Sequence, residues 1–214
     1  MLTLIIQAGG ESTRMGEDKA LRHFVGRPLI EHLLEKFAMI GEELLIITNN
    51  PKDYTYLGVP LHTDIIPHRG ALGGLYTALF TASHPHVGLV ACDMPFASPL
   101  LMQHLHDILQ QTGADAVLPS THSGAEPMHA VYRRQTCLPL VKSAIEDDQW
   151  RMISWHDQAD VRILSPEETG EHAPLETTFW NLNSPEDFRK AERLARELAD
   201  KDTKRSSETG LGKE

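Results

Sequence analysis

Apolar residues along the chain fall into two rhythms. Unbroken apolar runs occupy residues 2–6 (LTLII), 43–48 (ELLIIT), 86–91 (HVGLVA) and 115–119 (DAVLP). Each is short, rich in Val, Ile or Leu, and closed by turn residues, which predicts strands buried on both faces. Between them the spacing lengthens to that of helices. Residues 29–39 carry Leu29, Ile30, Leu33, Leu34 and Phe37, with Pro28 in the first turn. The stretch 64–82 opens on Gly70, Gly73 and Gly74 and continues with Leu75, Leu79 and Phe80, and 100–111 and 136–145 complete the set. Ser98-Pro99 and Ser184-Pro185-Glu186-Asp187 read as helix starts, a capping hydroxyl followed by proline and, in the second case, acids in the first turn. Shorter strands are predicted at 57–63, 128–132 (MHAVY) and 161–164, an extended segment at 20–25 turned by Gly26-Arg27-Pro28, and an amphipathic segment at 149–156. Residues 120–126 and 167–177 read as polar loops.

This alternation predicts an α/β fold, a three-layer α/β/α sandwich around a mostly parallel, Rossmann-like sheet. Residues 1–199 form the domain, with the last helix ending near residue 198, and the polar stretch 200–214, with its single Leu, reads as a disordered tail. The 214 residues suit one such domain, and a hydrophobic content of 41% is enough for a sizeable core. The formal net charge of -10 comes without a basic stripe, which argues against a nucleic-acid partner, although local cations still allow a nucleotide. The two cysteines, Cys92 and Cys137, have no C-x-x-C spacing, and the chain enters its first strand without a leader. Both features lead to the expectation of a reducing cytoplasm, and the lack of eighteen consecutive apolar residues to that of no membrane span.

The candidate chemistry starts where the first strand ends. Gln7, Ala8, Gly9 and Gly10 bring backbone within reach of a ligand, and Ser12, Arg14, Gly16, Asp18 and Lys19 follow. A glycine-rich loop with free amides, one Arg and one Lys suits a polyphosphate. It is not a P-loop, because Glu17 follows Gly16, and it is not a dinucleotide fingerprint, because Glu11 follows Gly10. A surface loop beside a salt-bridged Arg and Lys remains the plain alternative. Asp93, in Cys92-Asp93-Met94-Pro95, follows the strand at 86–91, where open α/β sheets bind ligands.

The string AGGESTRMGEDKAL resembles the nucleotide-binding loop of the molybdenum cofactor nucleotidyltransferases, part of the glycosyltransferase-A-like superfamily whose fold is that of nucleotide-diphospho-sugar transferases. Gln7 stands where that family usually has Leu, and the two-glycine form resembles the guanylyltransferase branch. The likeness extends to Cys92-Asp93-Met94-Pro95 and to Asn181-Leu182-Asn183-Ser184-Pro185-Glu186. It implies Mg²⁺-dependent transfer of GMP from GTP to the terminal phosphate of molybdenum-bound molybdopterin. It also implies molybdoenzymes or their chaperones as recipients of the product. By the same resemblance Arg14 and Lys19 would neutralise the phosphates, Asp93 would hold Mg²⁺ with Asn183 as a second ligand, and Gln7, Ala8, Gly9, Gly10, Ser12, Asn49, Asp64 and Gly73 would line the nucleotide. Of Asn49 and Asn50, one would approach the guanine or ribose, with the register open, and Asn181 stands as the alternative to Asn183 as metal ligand. Glu126, His129 and Arg151 would lie toward the acceptor. Each has a structural alternative: packing glycines in the helix at 70–81, a plain edge strand at 128–132, a surface Arg, and asparagines that only fix a turn. Two other readings stand beside this one, a cytidylyltransferase for the same or another phosphorylated acceptor, and a non-catalytic nucleotide-binding partner in cofactor assembly.

Overall fold

The first apolar run becomes β1 (Leu2–Gln7), every residue of which is buried, at the centre of a seven-stranded sheet. The structure, a computed structural model, describes residues 1–8 and 18–209, with side chains to residue 201. A hairpin of β2 (His23–Phe24) and β3 (Arg27–Pro28) follows, closed by Val25 and Gly26 at φ 48° and 91°. In chain order come α1 (Leu29–Phe37), β4 (Glu43–Ile47), β5 (Leu61–His62), α2 (Gly70–Thr81), β6 (His86–Ala91), α3 (Pro99–Thr112) and β7 (Ala116–Leu118). Then come β8 (Ser120–Thr121), β9 (Gly124–Ala125), β10 (His129–Arg133), α4 (Arg134–Glu146), β11 (Val161–Ile163), α5 (Pro166–Gly170), α6 (Leu175–Thr178) and α7 (Pro185–Thr209).

The sheet order is β11-β7-β10-β6-β1-β4-β5. Strand β10 is antiparallel to both of its neighbours and the remaining pairs are parallel, so the mostly parallel sheet expected from the alternation is present. The side chains sort by the two-residue period of a strand. Leu4 and Ile6 join Ile46, Val90, Val117 and Val131 beneath α1 and α3, where Ile30, Leu33, Phe37, Leu101 and Leu105 cover them. Ile5 points the other way, with Leu45, Leu89, Tyr132 and the apolar faces of α2 and α4. Helices thus cover both faces, which makes the three layers. A smaller cluster of Phe24, Leu29, Leu182, Phe188 and Ala191 seats α7 beside α1. Among the described residues no helix is long and apolar enough to cross a membrane.

Several boundaries differ from the pattern. The strand expected at 57–63 shrinks to Leu61–His62, because Pro51 starts a 3₁₀ turn, Pro51–Leu57, that Gly58 ends at φ 68°. Residues 120–126 form the β8–β9 hairpin. The polar stretch 167–177 holds two short helices. Ser165 and Glu168 make a reciprocal capping box at the first, the same start signal as at Ser184. Strand β10 is interior to the sheet and not an edge strand. Helix α7 continues to Thr209, past the end expected near residue 198 and through part of the stretch read as a tail. Neither glycine nor proline interrupts that stretch before Gly210, which lies outside the described residues.

Candidate active site

Strands β1, β4, β5 and β6 run parallel, so their carboxyl ends share one edge of the sheet. That edge gathers Ala8 after β1, Asn49 after β4, Asp64 after β5 and Asp93 after β6. It is where open α/β sheets place ligands, because the helices and loops that leave the strands diverge there.

The expected catalytic pair meets there. Lys19 Nζ lies 3.9 Å from Asp93 Oδ2. The same ammonium donates to Asn183 Oδ1 at 2.9 Å, bringing the chain together across 164 residues. The Lys19 and Asp93 side chains are only 12% and 23% exposed. Burial raises the Asp93 pKa, and the Lys19 charge opposes that rise. Two backbone bonds fix the Asp93 turn: Leu182 N–H donates to the Asp93 carbonyl at 2.9 Å, and Cys92 N–H to the Gln7 carbonyl at 3.0 Å. The first ties the turn to the segment that carries Asn183, the second to β1. Asn183 itself precedes a helix start of the expected kind, where Ser184 Oγ accepts from the Asp187 amide at 3.1 Å and Asp187 accepts from the Ser184 amide at 2.8 Å.

Asn49 and Asp64 also come together. Asn49 Nδ2 donates to Asp64 Oδ2 at 3.0 Å, and the Asp64 amide approaches Asn49 Oδ1 at 3.4 Å. The other oxygen, Asp64 Oδ1, is buried without a partner among the described residues. Thr77, absent from the sequence reading, holds this segment: its fully buried hydroxyl accepts from the Ile65 amide at 3.0 Å and donates to the Gly73 carbonyl at 2.9 Å. The sequence signal is a buried-side threonine within a largely apolar helix. A second missed contact, between Tyr54 and Asp18, lies at the start of the Lys19 segment.

Gly73 and Gly74 have packing reasons. A methyl on Gly73 would come within 2.8 Å of Arg69 Cβ, and one on Gly74 within 1.8 Å of Gln7 Nε2. Gln7 is 4% exposed and its side chain lies against α2. Gly74→Ala is expected to cost about 1–3 kcal/mol by overpacking, more than the ~1 kcal/mol that alanine gains by helix propensity. Denaturant unfolding measures it, and adding Gln7→Ala should recover most of the loss. A single variant as stable as the parent would show that Gln7 moves aside freely.

The acceptor-side candidates separate. His129 is fully buried between Phe37 and Phe179, with ring centroids 6.2 and 5.8 Å away. Its ring nitrogens have no hydrogen bond among the described residues, and burial lowers its pKa to about 4. It is a core residue and has no open face toward a substrate, which corrects its candidacy. Glu126 is half-buried with its pKa raised by burial, and Arg151 is exposed. Gly9, Gly10, Ser12 and Arg14 lie outside the described residues.

As a metal site, the arrangement offers oxygen only: the Asp93 carboxylate and the Asn183 amide oxygen, both beside Lys19. Among the described residues no group of three or more His, Cys, Asp and Glu could hold a metal ion. A donor set this sparse fits Mg²⁺, which keeps waters and takes phosphate oxygens as its other ligands, and does not fit a zinc cage.

With this geometry in place, the likeness to known proteins can be weighed. Residues 4–161 match the MobA-like NTP transferase domain. The chain belongs to that family, and it is a nucleotidyltransferase. A molybdenum cofactor guanylyltransferase of Desulfosudis oleivorans is 31% identical over 192 residues, covering 89% of this chain and 94% of that one. The molybdopterin-guanine dinucleotide biosynthesis protein A of Archaeoglobus fulgidus shares the fold at a TM-score of 0.79, with 23% identity over 91% of this chain and 99% of its own. A CMP:2-keto-3-deoxy-manno-octonic acid synthetase, solved with CTP, shares it at a TM-score of 0.70 and 14% identity, over 92% of this chain and 99% of its own. The MobA-like family is the one whose loop the sequence resembled, and the shared fold is that of nucleotidyltransferases.

Proposed function

We propose that the chain transfers GMP from GTP to the terminal phosphate of molybdenum-bound molybdopterin and releases pyrophosphate. The observation that carries this reading is the meeting of Lys19, Asp93 and Asn183 at the carboxyl edge of the parallel strands, in a chain whose relatives are named molybdenum cofactor guanylyltransferases. An acceptor phosphate oxygen forms a bond to the α-phosphorus while the bond from that phosphorus to the bridging oxygen breaks. The electron pair leaves on pyrophosphate. The acceptor is already anionic, so no enzyme nucleophile is needed, and catalysis reduces to positioning and charge neutralisation.

In this reading the loop amides of Gly9, Gly10 and Ser12 bind phosphate oxygens, and Arg14 holds the β- and γ-phosphates. Lys19 lies between Asp93 and Asn183 and turns toward the α-phosphate when a nucleotide enters, offsetting charge as it builds on the leaving group. Asp93, with Asn183, would hold Mg²⁺, which when bound adds positive charge at the phosphates. The Asn49–Asp64 pair faces the nucleoside, with Gly73 below it. Gln7 contributes backbone only, since its side chain faces α2; Leu in its place would leave that backbone unchanged. The two cysteines are free, which fits the reducing cytoplasm of this reading. The product would pass to molybdoenzymes or their chaperones.

GTP with Mg²⁺ is expected to stabilise the protein more than CTP, UTP or ATP. At a hundred times its dissociation constant it should add about 2.7 kcal/mol, visible as a melting shift. A larger shift with CTP would move the chain to the cytidylyl branch. GTP binding without pyrophosphate release, with the molybdenum cofactor supplied, would leave only the assembly-partner reading.

A further inference from the structure

Tyr54 sits in the 3₁₀ turn Pro51–Leu57, and its side chain is fully buried. A core tyrosine needs a partner for its hydroxyl. This one donates to Asp18 Oδ2 at 2.6 Å. The other carboxylate oxygen, Asp18 Oδ1, accepts from the Ala20 amide at 3.0 Å. Burial and the neighbouring carboxylate push the Tyr54 pKa far up, so the hydroxyl stays a donor. Ala20 is itself buried, and its carbonyl accepts from the Ile30 amide of α1 at 2.9 Å. Residues 18 and 20 are therefore fastened on either side of Lys19, one to the turn after β4 and one to α1. Lys19 extends from this fastened backbone to Asn183 and Asp93.

We propose that Tyr54 is a positioning residue for the transfer reaction, clamping Asp18 so that the backbone at Lys19 holds its ammonium at the Asp93–Asn183 site. The proposal rests on the reading of Lys19 given above. Phenylalanine would fill the same core volume, so what the hydroxyl adds is the charge-assisted bond to Asp18. Losing it frees the carboxylate from one of its two partners among the described residues and loosens the segment that fixes Lys19. The hydroxyl touches neither substrate nor metal in this scheme, and its whole effect passes through Lys19.

The test compares Tyr54→Phe, Lys19→Ala and the double variant in pyrophosphate release, with hydrogen exchange at the Ala20 amide read on the parent and Tyr54→Phe. Tyr54→Phe is expected to lower kcat roughly 10- to 100-fold with little change in KM for GTP, the scale of a modest misplacement of a reacting group. Exchange at Ala20 should quicken. In the Lys19→Ala background the same substitution should change kcat less than about twofold, since a residue that acts through another shows non-additive effects. A parent-like kcat in Tyr54→Phe, an Ala20 amide as protected as in the parent, or effects that multiply in the double variant would each overturn the proposal. A parent that releases no pyrophosphate from any nucleoside triphosphate would defeat the functional reading instead, and Ala20 exchange in Tyr54→Phe would still decide whether the clamp exists.

Discussion

Asp93→Ala is expected to lose both its transfer rate and its response to Mg²⁺. Its residual pyrophosphate release should stay flat across the Mg²⁺ range that saturates the parent, and lie at least roughly 10²- to 10³-fold lower, the scale of removing a preorganised charge-stabilising group. The reason is geometric. Asp93 is the carboxylate at the end of β6 that Lys19 approaches, and the other oxygen at that ammonium is the Asn183 amide, a weaker ligand for a cation than a carboxylate. The fold should survive. The turn is held by backbone bonds from Leu182 and to Gln7, neither of which uses the Asp93 side chain. Burial raises the Asp93 pKa, so the ionised carboxylate is less favourable in the fold than in water, and its removal should not lower the melting temperature. In the metal-free parent, the same burial predicts that the carboxylate takes up a proton at a pH above that of an ordinary aspartate. A variant with the parent's rate and Mg²⁺ midpoint would place the metal elsewhere.

Lys19→Ala should differ in kind. It should keep its Mg²⁺ response and lose transfer rate by roughly 10²- to 10³-fold. Its ammonium is the charge that opposes the burial of Asp93. Without it the Asp93 pKa in the metal-free protein should rise further, so protons compete better with Mg²⁺ and the acid limb of the rate profile at subsaturating Mg²⁺ should move to higher pH. Rate against pH at subsaturating and at saturating Mg²⁺, for parent and variant, measures both effects together. An unchanged acid limb with a large loss of rate would mean that Lys19 acts on the nucleotide alone and leaves Asp93 untouched. A parent-like rate would remove Lys19 from the mechanism.

The parts of the fold that were legible in the sequence are those that depend on local patterning. The buried runs at β1, β4 and β6 are apolar apart from Thr3 and their end residues, so they fit strands covered on both faces. Ser98-Pro99 and Ser184-Pro185 mark helix starts by satisfying end groups that any helix exposes. The same logic at Ser165-Pro166 was hidden by the polar composition around it, since α5 and α6 have few apolar residues to show a period. The register of β10 was not legible, because an apolar run fits the interior and the edge of a sheet equally well, and burial of His129 follows from that register.

For the site, the sequence by itself determined the Asp93 turn, because a buried apolar strand that runs into Asp and Pro is a local code. It also determined that the asparagines at 181 and 183 precede a helix. Only the tertiary structure decided that Lys19, Asp93 and Asn183 share one place, because the segments after β1 and β6 and a distant helix start meet only once the parallel sheet is built. It alone paired Asn49 with Asp64, turned Gln7 into α2, and set the Tyr54 hydroxyl on Asp18. Each of these depends on contacts between segments far apart in the chain. Such contacts are fixed by how the two apolar faces of the sheet are covered, and that packing is a property of the whole fold and of no single stretch.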